Sequence, residues 1–537
     1  MKMILALSPL FWAALVSASA SKSATPSNYK NVTGTSSQTF PTDVGFEGNL
    51  VYSKPPFMAE TDKLNSTKPL GCFGVELRVE PLNHEKDNAT SDDIYRNLGS
   101  ASVYHPADDL FPETKGYGPL PDQCSLKQVH ILHRHGARNP TSGDTSGAGL
   151  VGAAVWNATQ AKKLKASGPL EFLNHWNYSL GAEVLVHQGA QEVFDSGVHH
   201  YYQYAKLLEN LKHKPVLRTT SQSRMLDTAR YWSMGFFGWD AASKVHLEVL
   251  TEQPEQNNSL SPDKSCTNSD QDDYAYGDLL SAEWQKVYTK KPAKRLQKYL
   301  TGIKLDADLI YGMINMCAFE TVVLGNSDFC PLFTKEDFEN YEYDIDLQFM
   351  GNSGFMNPTG RAQGVGWVVE MLDRMNMTKY DGPVSGQNTT LDSNSTYFPI
   401  DQKLYADFTH DSVITSVLTA LNFKQISEYL PATKPNPNRR YRASRVTPFA
   451  ARFVLEVMDC KSDQLKGQYL RAKINEAVVP LDENQGCNPR PDGLCELDHF
   501  YQYQLKNAYK HSKYNEVCFG KNGTDFTVYG PVHNGTI

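Results

Sequence analysis

Three segments of the chain share one pattern, in which an apolar run is followed by a polar turn and usually by apolar residues at helical spacing. The apolar runs are QVHIL at 128–132, PVLRT at 215–219 and LYADF at 404–408. After the second and third runs, apolar residues recur at three- and four-residue intervals over 225–236 and 413–421. Strand, turn and helix in this order form the unit of an α/β sheet, which collects its ligands at the carboxyl ends of the strands.

The region between the second and third segments predicts a separate, mostly helical unit. Residues 241–395 include the patterns WQKVYTKKPAKRLQKYL at 284–300 and VGWVVEMLDRM at 365–375. This region is too long for one crossover connection, so we interpret it as an inserted helical subdomain that caps the site. The predicted fold class is α/β, with a doubly wound mixed sheet flanked by helices and an inserted smaller α-helical cap domain.

The pattern after residue 440 is typical of strands, with apolar runs at 453–458, 469–474 and 477–481. The last two runs flank a short Asn475-Glu476 connection, which predicts a β-hairpin. From position 71 onward we therefore divide the chain into a first α/β part, 71–240, the helical cap, 241–395, and a second α/β part, 396–537.

The first twenty residues have the features of a secretory signal peptide. Lys2 precedes an apolar stretch over 4–16, and the small residues Ala18 and Ala20 fit cleavage after residue 20. A membrane anchor is the alternative, but this stretch is too short to span a bilayer, and we find no later apolar run that would. Residues 21–70 are rich in Ser, Thr, Asn and Pro, which predicts a flexible, glycosylated N-terminal arm.

Cysteines and glycosylation sequons also indicate export. The chain has nine cysteines, so in an oxidising compartment one is left over when the others pair. Cys317–Cys330 and Cys487–Cys495 are close enough in sequence to form local bridges. The density of Asn-X-Ser/Thr sequons predicts a secreted, extracellular or cell-wall-associated glycoprotein. The sequons begin at Asn31, Asn65, Asn88, Asn157, Asn177, Asn257, Asn376, Asn388, Asn394, Asn522 and Asn534.

The net charge of −8 argues against a nucleic-acid partner, which would require a basic face. A local cationic cluster nevertheless follows the first apolar run, in the sequence HRHGARNP. Arg134 and Arg138 beside His135 suit an anion, because a guanidinium binds phosphate or carboxylate oxygens in a bidentate way. Gly136 is expected to give the backbone room to approach that anion, and Pro140 to fix the exit of the turn.

Other interpretations of this turn remain open from the motif alone. The turn could be an ordinary solvated surface, and the alternating pair His133 and His135 could ligate a metal, although the neighbouring arginines would repel one. His410-Asp411 follows the third strand, and Arg224 opens the helix after the second, where backbone N–H groups favour anions. Three such groups at equivalent strand ends favour the anion site.

These motifs resemble those of the histidine acid phosphatases, including the fungal phytases. The family signature Arg-His-Gly-X-Arg-X-Pro is matched in full by residues 134–140, and the later His-Asp signature by residues 410–411. The family's third arginine resembles Arg224. The likeness extends from about Cys72 to Phe519 and includes the glycine-punctuated segment LVHQGAQEVFDSGVHHYYQY at 185–204.

The resemblance implies ping-pong hydrolysis of phosphomonoesters. His135 would attack phosphorus and form a phosphohistidine, and Asp411 would protonate the departing alcohol. The residues that would hold the phosphoryl oxygens are Arg134, Arg138, Arg224 and His410. The resemblance implies no metal or other cofactor, because the arginines take the electrostatic role that metal ions fill elsewhere. Because the donor must carry a proton, we expect activity at acidic pH.

The resemblance also implies four disulfides and leaves Cys72 without a partner. The implied pairs are Cys124–Cys460, Cys266–Cys518, Cys317–Cys330 and Cys487–Cys495.

Two departures from the fungal phytases bear on the substrate. Asn139 stands where those enzymes typically have tyrosine, and Ser412 where they commonly have asparagine; we expect both on the substrate side. Lys162, Lys163 and Lys165 could supply basic contacts, but a solvated helix face is the preferred interpretation. We predict an acid phosphatase of broad range on small-molecule phosphomonoesters, with a dedicated phytase as the first alternative. A catalytically silent cell-wall or phospho-ligand-binding glycoprotein is an alternative of another class.

Overall fold

In a computed structural model of the chain, the described residues are 94, 96–143, 145–253, 256–271, 275–463 and 465–520. The expected signal peptide, the N-terminal arm and Cys72 lie outside these residues. Five of the sequons lie outside them as well: Asn31, Asn65, Asn88, Asn522 and Asn534.

Within these described ranges, the strands form one mixed eight-stranded sheet and a separate two-stranded one. In chain order they are β1 Cys124–Arg134, β2 Lys165–Ala166, β3 Val216–Thr220, β4 His246–Leu250, β5 Leu300–Thr301, β6 Leu404–Thr409, β7 Arg452–Lys461, β8 Lys466–Ile474, β9 Ala477–Val478 and β10 Cys495–Glu496. The order in the large sheet is β10-β8-β7-β1-β6-β3-β4, with β9 paired to β8, while β2 and β5 pair with each other.

The helices flank this sheet. They are α1 Gly147–Gln160, α2 His187–Tyr204, α3 Ser223–Phe237, α4 Ala241–Lys244, α5 Tyr276–Tyr288, α6 Lys290–Gln297, α7 Ala307–Leu324, α8 Lys335–Asn352, α9 Gly360–Asn376, α10 Thr389–Asp392, α11 Asp411–Ala420, α12 Ala443–Val446, α13 Leu497–Ser512 and α14 Tyr514–Phe519. The predicted α/β class with a mixed sheet is thereby confirmed.

The four strands β1, β6, β3 and β4 are parallel, so their carboxyl ends meet at one edge of the sheet. Arg134 at the end of β1 lies in register with Thr409 at the end of β6. Every residue of β3 and β6 is buried. Burial on both faces explains why these strands are apolar runs rather than alternating patterns. The three polar turns predicted from the sequence therefore leave the same edge.

Some elements differ from the sequence-based expectation. The strand β4 falls in the region assigned to the cap but pairs with β3 in the large sheet. The helical pattern at 284–300 is divided between α5 and α6, with Pro292 in the first turn of α6. The strand expected at 477–481 ends at Val478, and Pro480, which has no N–H to donate to a ladder, follows.

The hairpin between β8 and β9 forms as predicted. Asn475 and Glu476 both have positive φ, 45° and 71°. Two central residues of positive φ are what a type I′ connection requires, and its twist matches that of the flanking strands.

Helix α9 also belongs with the sheet, although the sequence placed it in the cap. Trp367 Nε1 and Arg374 Nη1 both donate to Asp407 Oδ2 on β6, over 2.8 and 2.7 Å. We retain the cap subdomain as a proposal for the helices α5 to α8.

The described residues contain four disulfides, and they have the pairings that the resemblance implied. Cys124–Cys460 joins β1 to β7, and Cys266–Cys518 closes a long loop onto α14. Cys317–Cys330 and Cys487–Cys495 are the two local bridges.

One helix corrects the expectation that no later segment has the character of a membrane span. Among the described residues, α7 is long and apolar enough by length and composition, but 72% of that window is buried inside the fold. Its apolar character is explained by its position in the protein core.

Candidate active site

The sequence-predicted residues of all three polar turns come together at the carboxyl edge of the sheet. The His135 and His410 rings are 5.9 Å apart, centroid to centroid, at an angle of 69°. His135 also experiences the charges of Arg134, Arg138 and Arg224. The six residues proposed from sequence therefore form one cluster.

His135 is a buried, neutral imidazole with a defined tautomer. Its Nδ1 lies 2.8 Å from the carbonyl oxygen of Gly136. Because a carbonyl only accepts, Nδ1 carries the hydrogen and Nε2 keeps its lone pair. Burial, followed by the charges of Arg134, Arg138, Arg224 and His410, holds the pKa of His135 well below its usual value. The lowered pKa favours the unprotonated ring, which is the form that can act as a nucleophile.

Arg134 is fixed by the protein on several sides. Its Nη1 donates to the carbonyl oxygens of Ser100 and Thr447, the latter at 2.7 Å. Its Nη2 lies 2.6 Å from Asp411 Oδ2, and its guanidinium lies over the Phe449 ring at 4.7 Å. Burial lowers the pKa of Arg134 to about 10, so it remains charged at any acidic pH.

Arg138 and Arg224 complete the set of cations. Arg138 Nη1 donates to the carbonyl oxygen of Asn139 over 2.8 Å, and Arg224 Nη1 donates to Glu183 Oε2 over 2.8 Å. The Nε groups of Arg134, Arg138 and Arg224 are buried without a hydrogen-bond partner in the described part of the chain. Buried charged donors of this kind are matched by an anionic ligand.

His410 and Asp411 lie where β6 passes into α11. His410 occupies the N-cap position and Asp411 the first position of the helix. His410 Nε2 lies 3.0 Å from Glu252 Oε1, and Asp411 Oδ1 accepts from the backbone N–H of Ser412 over 2.9 Å. Burial alone would raise the pKa of Asp411, but the charges of Arg134 and Arg138 outweigh it and hold that pKa below its usual value.

Gly136 is required for packing, in a way that differs from the sequence-based expectation. A Cβ at Gly136 would lie 2.3 Å from the carbonyl oxygen of Gly189 on α2. A Cβ at Gly189 would in turn lie 2.0 Å from the carbonyl oxygen of Ala137. The two glycines let the turn after β1 lie directly on the backbone of α2. The absence of a side chain at Gly136 therefore serves contact with α2.

Two acidic partners of the site were missed by the sequence analysis. Glu252 follows β4, so it lies at a fourth strand end, and Glu183 lies in the connection that leads to α2. Burial alone would raise the pKa of Glu252, but its hydrogen bond to His410 and the His410 charge hold it below its usual value. Thr251-Glu252 follows HLEVL, in the strand–turn order of the other three strand ends, but that strand alternates between exposed and buried residues and gives a weaker apolar signal.

The Asn139 side chain is held by the connection that leads to α2, and its expected place on the substrate side stays a prediction. It is buried, its Oδ1 accepts from Gly181 N over 2.8 Å, and its Nδ2 donates to the Val184 carbonyl oxygen over 3.4 Å. His133 is likewise buried, with Nδ1 at 2.6 Å from the Arg134 carbonyl oxygen and Nε2 at 2.8 Å from Ser196 Oγ. Both ring nitrogens of His133 are thus occupied by hydrogen bonds.

The lysines after α1 are exposed, as the preferred interpretation expected, although they lie beyond the helix rather than on it. Helix α1 ends at Gln160, and Lys162, Lys163 and Lys165 follow it.

Among the described residues, no group of three or more His, Cys, Asp or Glu side chains is placed to hold a metal ion. The described sequons are Asn157, Asn177, Asn257, Asn376, Asn388 and Asn394; all are exposed except Asn388, which is partly exposed.

Comparison with known proteins gives a family and a fold. Phytase A of Aspergillus oryzae is 33% identical over 424 residues, which cover 75% of this chain and 86% of that protein. The thiamine-repressible acid phosphatase pho4 of Schizosaccharomyces pombe is 30% identical over 456 residues, which cover 81% of this chain and 92% of that protein. The crystal structure of the phytase from D. castellii has a TM-score of 0.65 at 23% identity and covers 87% of this chain and 98% of that chain, which supports the fold.

The model of the histidine phosphatase superfamily, branch 2, matches residues 125–475, a range that contains all six residues of the cluster and the carboxyl ends of the four parallel strands. The chain therefore belongs to branch 2 of the histidine phosphatase superfamily.

Proposed function

We propose that this chain is an acid phosphatase that hydrolyses phosphomonoesters through a phosphohistidine. The observation that carries the proposal is the setting of His135: its Nδ1 lies 2.8 Å from the Gly136 carbonyl oxygen, and burial beside three arginines holds its pKa well below the usual value. A histidine of ordinary pKa would be protonated at acidic pH and could not attack phosphorus.

The first half-reaction transfers the phosphoryl group to the protein. The Nε2 lone pair of His135 forms a bond to phosphorus while the ester P–O bond breaks. Asp411 gives its proton to the departing alcohol oxygen. Arg134, Arg138, Arg224 and His410 hold the phosphoryl oxygens, and their charges stabilise the transition state.

The second half-reaction returns the protein to its starting state. Asp411, now a carboxylate, accepts a proton from a water that attacks phosphorus. The P–Nε2 bond breaks, inorganic phosphate leaves, and His135 is again neutral. The arginines remain in place throughout, so the same charges stabilise both transition states.

The names of the relatives leave the substrate range between two candidates. One is a broad acid phosphatase, like the named acid phosphatase of Schizosaccharomyces pombe; the other is a phytase, like phytase A of Aspergillus oryzae. The acidic partners Glu183 and Glu252 beside the cationic cluster favour small monoesters over a polyanion. Four disulfides support a protein that is exported, with glycans at exposed sequons.

The proposal is tested by trapping the intermediate. Purified protein is mixed with ³²P-labelled p-nitrophenyl phosphate at pH 5, without added metal, and quenched in alkali, in which phosphohistidine survives. We expect turnover and label on the peptide that contains His135, and neither in His135→Ala. Turnover that persists in His135→Ala would refute the nucleophile, and binding without turnover would favour the silent glycoprotein. Rates on inositol hexakisphosphate and on glycerol phosphate, compared at the same pH, decide between phytase and broad phosphatase.

A further inference from the structure

A buried carboxyl on α2, Glu192, contacts the turn after β1 from the side opposite to His135. Glu192 is 2% exposed, and its Oε2 accepts from the backbone N–H of Ala137 over 3.0 Å. Its Oε1 lies 3.4 Å from Gln188 Nε2 on the same helix, and the carboxyl also accepts a hydrogen bond from the backbone of Tyr104. None of the steps proposed above uses this carboxyl.

One peptide group connects Glu192 to the imidazole. The Gly136 carbonyl that accepts from His135 Nδ1 and the Ala137 N–H that donates to Glu192 belong to the same peptide plane. In a trans peptide the C=O and N–H point in opposite directions, so this plane lies between the two side chains. The chain of contacts runs from the Glu192 carboxyl, through Ala137 N–H and Gly136 C=O, to His135 Nδ1–H.

We propose that Glu192 is a positioning residue for His135, acting through the Gly136–Ala137 peptide group. The assignment rests on the proposed role of His135 as nucleophile. Hydrogen bonds in a chain polarise one another, so an acceptor on Ala137 N–H makes the Gly136 carbonyl a better acceptor for Nδ1–H. A stronger bond at Nδ1 fixes the tautomer and ring orientation and places electron density on Nε2, the attacking atom.

Burial makes this contact difficult to replace. Ala137 is 0% exposed, so without Glu192 its N–H would be a buried donor without water. The neighbouring backbone holds the turn in place, because Val186 N donates to the Ala137 carbonyl oxygen over 3.0 Å. Loss of Glu192 should therefore rotate or loosen one peptide plane and leave the arginines where they are.

Glu192 does not need a negative charge to accept the hydrogen bond from Ala137 N–H. Burial raises its pKa to about 7, so at pH 5 it is a neutral acid that accepts through its carbonyl oxygen. Glutamine presents the same acceptor in the same place and does not ionise. Glu192→Gln therefore tests whether the acceptor suffices, and Glu192→Leu removes the acceptor at similar size.

The experiment compares these two variants at pH 5 with Asp195→Leu as the matched control. Asp195 lies one turn further along α2 and is partly buried, with an Oδ2 that has no hydrogen-bond partner among the described residues. We expect Glu192→Leu to lower kcat about ten- to a hundredfold, the effect of leaving the buried Ala137 N–H without its acceptor, with KM within about threefold. Glu192→Gln and Asp195→Leu should stay within about threefold of the parent in both constants. A leucine variant with unchanged kcat, or a glutamine variant that fails to restore it, would overturn the inference.

A measurement that needs no turnover separates this inference from the proposed function. Diethyl pyrocarbonate modifies neutral imidazole nitrogens, and peptide mass spectrometry gives the rate at His135 alone. We expect slower modification in Glu192→Leu and a parental rate in Glu192→Gln; equal rates in all proteins would overturn the positioning role even if the parent were inactive. If the leucine variant does not fold, Glu192→Asp takes its place, because its side chain is one methylene shorter and its carboxyl lies further from Ala137 N–H. The same changes in kcat and in the modification rate of His135 are then expected.

Discussion

Arg134 Nη2 lies 2.6 Å from Asp411 Oδ2, so the proposed proton donor is ion-paired with one of the cations that would hold phosphate. Burial would favour a neutral Asp411, but this arginine and Arg138 keep its pKa below the usual value. A bound phosphoryl group brings negative charge to the same arginines, which weakens their hold on the carboxylate and raises that pKa. Substrate binding would thereby supply Asp411 with the proton that it gives to the leaving group.

The first prediction is that Asp411→Asn affects substrates according to their leaving group. An alkoxide must be protonated as it departs, whereas nitrophenolate leaves readily without a proton. We expect kcat to fall about 10²- to 10⁴-fold with glycerol phosphate and much less with p-nitrophenyl phosphate. His135→Ala is the comparison, since loss of the nucleophile should abolish both activities equally. Equal losses on the two substrates in Asp411→Asn would exclude the acid role.

The second prediction concerns the geometry of Arg134. Its guanidinium donates to the carbonyl oxygens of Ser100 and Thr447 and is also ion-paired with Asp411. A lysine ammonium is a point charge and cannot make these planar contacts, so buried carbonyl oxygens would be left without donors. We expect Arg134→Lys to lower kcat/KM at least about 100-fold and to lower the thermal midpoint.

The control for Arg134→Lys is Arg230→Lys. Arg230 lies on α3 and is 64% exposed, paired only with Asp227 one turn away among the described residues. Such a surface pair contributes little to stability. We expect this variant to match the parent in both measurements; a parental kcat/KM in Arg134→Lys would show that charge alone is sufficient at this position.

The sequence could predict the site residues that lie in a contiguous motif or directly after a recognisable strand. His135 and the two arginines of its turn follow from a contiguous motif. Arg224 and Asp411 follow from their places at the start of helices after apolar strands. Each of these predictions depends only on residues that are close in sequence, namely those of a strand, of the turn after it and of the next helix.

The missed residues depend on contacts between distant parts of the chain. Glu192 reaches Ala137 across 55 positions. Glu252 was missed because β4, an edge strand, alternates between exposed and buried residues and gives a weak apolar signal. The hydrogen bonds of Asn139 were missed as well, because nothing in the sequence indicates that Gly181 N lies within hydrogen-bonding distance of its side chain.

The third prediction concerns the buried ion cluster beneath the site. Asp407 Oδ1 accepts from Arg218 Nε over 2.8 Å, and Oδ2 accepts from Arg374 Nη1 over 2.7 Å. Removing this charge leaves Arg374 as a buried cation without its carboxylate. We expect Asp407→Asn to lower the free energy of unfolding by about 3–5 kcal/mol, measured by urea denaturation.

The matched control for Asp407→Asn is Asp401→Asn. The Asp401 side chain is 71% exposed, and its Oδ1 lies 3.3 Å from His213 Nε2. An exposed pair of this kind contributes between zero and about 1 kcal/mol. If the two variants unfolded at the same urea concentration, the buried cluster would not carry the stability assigned to it.

The fourth prediction is that the protein loses stability above pH 6.5. A carboxyl whose pKa is higher in the folded than in the unfolded state holds its proton longer when folded, so stability falls as pH rises from the unfolded value through the folded one. Buried histidines with lowered pKa values act the opposite way, but only below their unfolded value of about 6.5. Burial raises the pKa of four carboxyls to about 7: Glu192, Glu248, Asp344 and Asp373. Burial lowers the pKa of His105 to about 4 and of His130 and His133 to about 3.

The two sets of groups therefore oppose each other below pH 6.5, and the carboxyls act alone above it. Between pH 6.5 and pH 8 we expect the free energy of unfolding to fall by on the order of 2 kcal/mol, seen as a lower thermal midpoint at pH 8. Asp344→Asn, which keeps an acceptor for Tyr288 OH, 2.9 Å away in the parent, should flatten this decline because one titrating group is gone. A midpoint that stays the same between these pH values would show that the buried carboxyls ionise at their ordinary pKa in the folded protein.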